Sequence, residues 1–308
     1  MEIKRIDLNK YKASGKEGHK ISKESLLECA QMHNTSEYEY VGGEGYLSPS
    51  SIKTWMKCPR FFYYDKLDPD LKVRRVNLKM HYGSSGHKAM EILYKKIMKN
   101  EVIIKDEIVS YATDYYQRGL EDPEAPMDEK ENLQASEFDE VVGTTKDNLV
   151  ICVEAYVDNK EHEKVGQILN VEQDFLMTLD GIPFYGIVDL ETSSKIVDFK
   201  FAQGSAGVQM RKSDIPGDIQ LWTYEKNYSK PGAFNIIIPP PKTKRSDRQL
   251  VTEICRTDYL TWADEDFMEV THDMLREIQA GRFTKRGAIT GGCQGCRYKE
   301  SCNVKHSC

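Results

Sequence analysis

The stretch GIVDLETSSKIVDFKFA, residues 186–202, constrains this chain more than any other. It reads as two short apolar strands joined by a polar turn at Ser193–Ser194, yet it carries Asp189 in the first strand and Asp198 and Lys200 in the second. Half-buried strands rarely hold ionised groups unless those groups are paired or bind a cation. Side chains alternate across a strand, so Asp198 and Lys200 share one face while Val197 and Phe199 share the other. The hairpin brings Asp189 onto the neighbouring strand, where same-face side chains approach within about 5 Å. Two carboxylates that close repel unless a cation lies between them, and hard oxygen ligands suit Mg²⁺ or Mn²⁺. A structural Asp–Lys ion pair on a solvated sheet face is the other reading of the same residues. The D-x-K triplet alone does not decide, because Asp70–Lys72, Asp128–Lys130 and Asp158–Lys160 repeat it in polar or helical settings.

The flanking sequence predicts the rest of an α/β fold. Val171, Gln173, Phe175, Met177 and Leu179 recur at period two, and Asp180–Gly181 is a two-residue hairpin signal. FNIIIPPP and QLVTEICRT read as further strands. Ser48 is an expected N-cap with Pro49 as first helical residue. Ile52, Trp55, Met56, Phe62 and Tyr63 then recur at helical spacing, which predicts one amphipathic helix or a broken pair. YGSSGHKAMEILYKKIMK predicts a Gly/Ser turn followed by a helix from about residue 85. Further helices are expected over about 133–159, from about 217, and over ADEDFMEVTHDMLREIQAG. Residues 1–45 predict a loosely organised extension with one short helix near KESLLECAQMH. The order gives a mixed central sheet flanked by helices.

Composition excludes little: 39% hydrophobic, 30% charged and a net charge of −6 describe an ordinary globular chain with no advertised affinity for nucleic acid. No apolar run approaches the roughly 20 residues needed to span a bilayer. The N-terminus lacks the apolar centre of a secretory signal, so a cytoplasmic location with no membrane partner is expected. Of eight cysteines, Cys293, Cys296, Cys302 and Cys308 crowd the last sixteen residues. In a reducing compartment that spacing favours a metal or cluster over disulfides. Cys29, Cys152 and Cys255 are isolated and read as inert buried thiols.

Taken together, YGSSGHKAMEIL, GIVDLE, IVDFK and QLWTYEK resemble the G-x-x-x-H, G-x-x-D, (D/E)-x-K and Q-x-x-x-Y motifs of the PD-(D/E)xK nuclease superfamily. The resemblance is specifically to its iron–sulfur branch, which includes RecB-like exonucleases, AddB-type subunits and CRISPR-associated adaptation nucleases. It implies a restriction-endonuclease-like core over residues 46–290, with a helical insert at about 100–160. His87, Asp189, Asp198 and the carbonyl of Phe199 would hold Mg²⁺ or Mn²⁺. Lys200 would orient and help deprotonate the attacking water. Gln220 and Tyr224, one turn apart on a helix face, would contact substrate or support the site.

The branch also closes with one upstream cysteine and three near the C-terminus. This implies that Cys58, Cys293, Cys296 and Cys302 hold a [4Fe–4S] cluster, so that residues 291–308 clasp the N-terminal helix. Thiolate spacing alone does not choose between a cluster and zinc, and Cys308 leaves the last ligand open. The activity implied is metal-dependent DNA exonuclease action on single strands or free ends, in repair or recombination, with any helicase a separate partner. A catalytically idle DNA-binding subunit, or an endonuclease of the same fold, is the alternative. KTKRSDR (242–248) is a candidate phosphate contact. The aromatic string Phe61–Tyr64 could stack bases or pack the core, and Glu172 could bind a second ion or stay solvated.

Overall fold

The computed structural model describes residues 1–11, 21–39, 45–68, 70, 77–122, 133–203, 205–239, 250–256, 264–286, 293 and 296–304. KTKRSDR and Cys308 lie outside them. Among these residues the strands form one mixed sheet in sequence order. They are β1 (Ile3–Ile6), β2 (Ile168–Leu179), β3 (Ile182–Thr192), β4 (Ile196–Phe201), β5 (Gly232–Ile237) and β6 (Val251–Cys255). Every neighbouring pair is antiparallel except β4 and β5, which run parallel and flank helix α8 (Ile219–Tyr228) in the chain.

The β2–β3 hairpin turns at Asp180–Gly181, where both residues take positive φ (48° and 81°), the requirement of a two-residue primed turn. Its alternation is not continuous. Phe175, Met177 and Leu179 enter one core cluster while Val171 packs against the other. Between them Glu172 takes a left-handed φ of 53°, unusual for a residue with a Cβ.

Two apolar layers sandwich the sheet. On one face, α2 (Pro49–Lys57), α8 and α9 (Asp264–Gln279) bury Trp55, Trp222, Phe184 and Phe267 against β2–β5. On the other, α4 (Leu78–Met98), α5 (Lys105–Leu120) and α6 (Ala135–Asp158) bury Tyr94, Tyr116 and Tyr156 against Val197 and Phe199. β4 alternates accordingly: Ile196 belongs to the first layer, Val197 and Phe199 to the second.

The N-terminal reading of the sequence needs correction. The expected helix is present as α1 (Lys23–His33), but Ile3–Ile6 is an edge strand paired with β2. Arg5 reaches the C-terminal end of α8, donating to the Ser229 hydroxyl at 2.7 Å and to the carbonyls of Lys226 and Asn227. A second correction concerns α4, which starts at Leu78, capped by the Asn77 side chain accepting from Met80 N–H. The Gly/Ser stretch 83–86 is therefore helix rather than turn. Helix α7 (Ser205–Asp214) was not expected from the sequence.

The α2 segment is a broken pair, divided at Cys58–Pro59 before α3 (Pro59–Phe62), because proline cannot continue a helix interior. Ser48 and Ser51 form the capping box that starts α2. Gly86 has a packing reason to be glycine: a Cβ there would stand 2.4 Å from the Phe201 ring. Net of the propensity alanine gains, Gly86→Ala is expected to destabilise by about 1–2 kcal/mol. In a thermal melt this lowers Tm by a few degrees.

Candidate active site

Three elements converge where β3 and β4 splay apart. Helix α4 presents His87, whose Nδ1 lies 3.0 Å from Asp189 Oδ2 on β3. The same Asp189 oxygen accepts the Phe199 N–H at 2.8 Å, so the carboxylate bridges the strands where direct ladder pairing stops at Leu190↔Val197. Asp198 is completely buried. Its Oδ1 accepts from Gln220 Nε2 at 2.6 Å. Lys200 Nζ contacts its Oδ2 as an ion pair, but out of line for a hydrogen bond, and that oxygen makes none.

Gln220 and Tyr224, expected to contact substrate or support the site, both lie behind Asp198. Gln220 Nε2 also donates to the Tyr224 hydroxyl at 2.8 Å, and Tyr224 donates to the Ile187 carbonyl at 2.6 Å. Tyr224 is buried, and burial followed by the Asp198 and Asp189 charges holds its phenol well above the ordinary range. The chain Ile187–Tyr224–Gln220–Asp198 thus fixes the carboxylate from behind. Its anchor is Asp218, the N-cap of α8, which accepts from Gln220 and Leu221 N–H and pairs with Lys53 at 2.8 Å. Asp218 was not singled out from sequence, although an aspartate immediately before a helical pattern is an N-cap signal.

The electrostatics split the two carboxylates. Burial alone would raise Asp189, but His87, through charge and hydrogen bond, together with Lys200 and the Phe199 amide holds it below the ordinary aspartate value. Asp198 moves the other way: burial, the largest cause, and the neighbouring Asp189 charge raise it despite Lys200 and His87. For His87, burial pushes down, but the charge and hydrogen bond of Asp189, together with the Asp198 charge, outweigh it, so the net direction is up. In the metal-free protein the His87 contribution to stability is therefore present below the ordinary histidine value and lost as pH rises through the raised one. The Asp189 contribution is present above the ordinary aspartate value and lost as pH falls through the depressed one.

The residues fit a divalent cation by their donor chemistry. Asp189 and Asp198 supply carboxylate oxygens, one of them buried with no hydrogen bond, and His87 supplies an imidazole now paired to Asp189. Among the described residues, however, no three His, Cys, Asp or Glu side chains are drawn together at ready metal-binding spacing. Because a proton on His87 competes with a cation, Mn²⁺ affinity is expected to rise as pH rises through the raised His87 titration. Calorimetry across pH checks this, and His87→Gln should flatten the dependence.

A second cluster joins the C-terminal tail to the α2–α3 segment. Cys58 follows α2, Cys293 and Cys296 lie before α10 (Lys299–Val304), and Cys302 is within it. No disulfide joins the described cysteines. Burial raises the Cys296 thiol, and Cys293, Cys58 and Cys302 add to that, so the four thiols are electrostatic neighbours. Around them Tyr298 packs on Phe61 and Tyr64 at ring separations of 5.1 and 5.4 Å, and Tyr63 packs on Phe283 at 4.7 Å. Within the aromatic string Phe62 and Tyr64 are buried outright, while Phe61 and Tyr63 are half-buried. Cys29 and Cys152 are buried as expected, while Cys255 is only partly so. Glu172 stays near the site, lining a cavity of about 560 Å³ with His87.

Comparison with known proteins adds a family. A family model described as PD-(D/E)XK nuclease superfamily matches residues 46–303. No curated protein matches the chain. Among solved structures, one titled "Crystal structure of SSO0001" is similar at 12% identity and a TM-score of 0.35, over 94% of this chain and 98% of that one.

Proposed function

The chain belongs to the PD-(D/E)XK nuclease superfamily, and from that membership we propose that it is a divalent-metal-dependent DNA exonuclease of the iron–sulfur branch. The observation that carries the reading is the buried Asp198, held by Gln220 and Lys200 beside an Asp189 that is paired with His87. A solvated ion pair on a sheet face needs neither the burial nor the imidazole.

His87, Asp189, Asp198 and the Phe199 carbonyl would hold Mg²⁺ or Mn²⁺. When bound, such an ion polarises a phosphate oxygen and lowers the pKa of bound water. The remaining work falls to the chain. Gln220 and Tyr224 keep Asp198 from rotating, so its other oxygen stays beside Lys200. Lys200, partly exposed and beside Asp198, donates hydrogen bonds to the attacking water and offsets negative charge that builds on the phosphate. The proton of that water passes to bulk water, which reaches the site past the partly exposed Lys200.

Cys58, Cys293, Cys296 and Cys302 fit a [4Fe–4S] cluster by donor type, as four soft sulfur ligands. In that role the cluster is a clasp tying residues 291–308 to the α2–α3 segment, while residues 46–290 form the nuclease core and residues 1–45 extend it. Zinc would serve the same fastening with a colourless protein. The substrate is DNA with free ends, and a separate helicase or recombination protein would supply unwinding.

End-labelled linear and circular DNA of one sequence, incubated with Mn²⁺, tests the activity. The expected result is loss of the linear substrate with the circle intact. Nicking of the circle would make the enzyme an endonuclease, and no loss of either would leave an idle subunit.

A further inference from the structure

A buried asparagine on a sheet face calls for a partner. Strand β5 sends Phe234 and Ile236 into one apolar layer and Ile237 into the other. By alternation Asn235 faces the α4–α6 side, where it is 3% exposed and its Oδ1 accepts no hydrogen bond. An amide oxygen that gives up water and gains no donor opposes folding, and a leucine there would not. What Asn235 lines is a cavity of about 510 Å³. One wall is the segment after α6, with Glu161, Lys164 and Val165. The other holds Lys195 from the β3–β4 turn with Val251 and Glu253 of β6. Glu161 pairs with Lys164 at 2.8 Å and Glu253 with Lys195 at 2.5 Å, so the walls carry both signs and little net charge. His87, Asp189, Asp198 and Lys200 are not among the lining residues.

We propose that this cavity binds a ribonucleotide whose base carries an exocyclic amine and a ring-nitrogen acceptor side by side on the edge away from the sugar. Adenine and cytosine present that edge; guanine and uracil do not. The Asn235 amide matches it: the oxygen accepts from the amine and the N–H donates to the ring nitrogen, the pairing by which asparagine reads adenine. Val165 and Val251 offer apolar surface to the ring faces. Carboxylates accept from sugar hydroxyls, as an acidic residue does at the ribose of dinucleotide sites, which gives Glu161 and Glu253 a use beyond their ion pairs. Lys164 and Lys195 meet the phosphate as point charges. The volume lies within the roughly 300–1,000 Å³ of small-molecule sites. Water alone would satisfy Asn235 but leave most of that volume and both ion pairs without a use. An inorganic anion would leave the amide oxygen unpaired. The inference goes beyond the nuclease reading and stands without it, since a product of DNA hydrolysis lacks the second ribose hydroxyl that the carboxylates would take.

Calorimetric titration of the full-length protein, without added divalent metal, tests this with AMP, CMP, GMP and UMP, and with the deoxynucleotide and nucleoside forms of the first two. Wild type is expected to bind AMP or CMP at one site per chain. GMP, UMP and the deoxy form of the bound nucleotide should bind at least about tenfold more weakly, since a site built around a hydrogen bond rejects analogues that lack it. Asn235→Leu should lose about tenfold or more of the affinity. Its Tm should be unchanged or raised, because the change removes an unpaired buried amide, so a folding failure does not pass for the expected result. Lys195→Met should weaken binding of the nucleotide but not of its nucleoside, which has no phosphate. Asp198→Asn should bind as wild type. No heat from either AMP or CMP overturns the proposal, as does equal affinity for all four bases or for ribose and deoxyribose forms. Wild-type affinity in Asn235→Leu overturns it too. So does loss of binding in Asp198→Asn, which would put the nucleotide in the nuclease site.

Discussion

Asp198→Asn is expected to abolish Mn²⁺-dependent DNA cleavage while leaving the metal-free protein as stable as wild type or more so. The two effects have one cause. Asp198 is fully buried, and burial together with Asp189 raises its pKa. A carboxyl whose folded pKa lies above its unfolded value opposes folding once ionised, and stability is regained as pH falls. Asparagine removes that cost and can still accept from Gln220. The Lys200 ammonium left behind is partly exposed and lies 5.3 Å from the Phe234 ring centre, so it is not stranded in an apolar site. Cleavage loses a carboxylate that would hold the cation, a loss of at least about a thousandfold, or about 4 kcal/mol. Paired melting curves and rates on end-labelled DNA check the prediction. A large drop in Tm with activity retained would mean that Asp198 is a structural ion-pair partner.

The second large effect is expected at the other end of the chain. With the proposed cluster in place, the protein would be brown and hold iron, and Cys296→Ser would remove both and loosen the contact between the tail and the α2–α3 segment. Metal-held tails take folding energy from their ligands, and losing a structural metal belongs to the short list of mechanisms that exceed about 4 kcal/mol. At a few degrees per kcal/mol for a chain of this size, Tm should fall by at least about 10 °C. The protein contacts at the clasp soften the blow without cancelling it: Arg297 and Tyr298 bond Asp65, and Arg60 N–H donates to the Thr284 carbonyl at 3.3 Å. Cys29→Ser makes a comparison outside the cluster, because Cys29 packs with Leu26 and Ala30. A colourless wild-type protein with stoichiometric zinc would keep the fastening and discard the cluster.

The sheet around the site was legible in the sequence because its signals are local. Asp180–Gly181 announces its hairpin, and the charges of β4 stand out against apolar neighbours. Cys58, although far from the tail in sequence, lies near enough to Cys296 to add to the burial that raises its thiol, which no periodicity predicts. Elements that depend on tertiary partners were not legible. β1 is four residues long with an exposed, basic pattern, so nothing in Ile3–Ile6 distinguishes a strand from a tail until β2 offers an edge. The first turn and a half of α4 was hidden by Gly83 and Gly86, which read as turn residues. Packing against the Phe201 ring explains Gly86, while a Cβ at Gly83 would meet nothing within 4 Å. Helix α7 has a weak apolar stripe and follows Gly204.

Within the site, motif order picks out His87, Asp189, Asp198 and Lys200, and the fold brings His87 to Asp189 and Lys200 to Asp198. The splitting of the carboxylates could not be read from motif order, since it comes from which groups surround each one. The left-handed backbone at Glu172 is likewise invisible to a pattern of alternating residues. It lies across from Asp189 in the β2–β3 pair, between Val171↔Leu190 and Gln173↔Val188.

Titrating Mn²⁺ into the metal-free protein by calorimetry, beside the Asp189→Asn and Asp198→Asn variants, tests the central claim most directly. Wild type should bind the ion with protons released as His87 gives up its own, and both variants should lose that heat. Equal binding by all three would place the cation elsewhere, and the paired charges of β3 and β4 would then be no more than a fastening for the sheet.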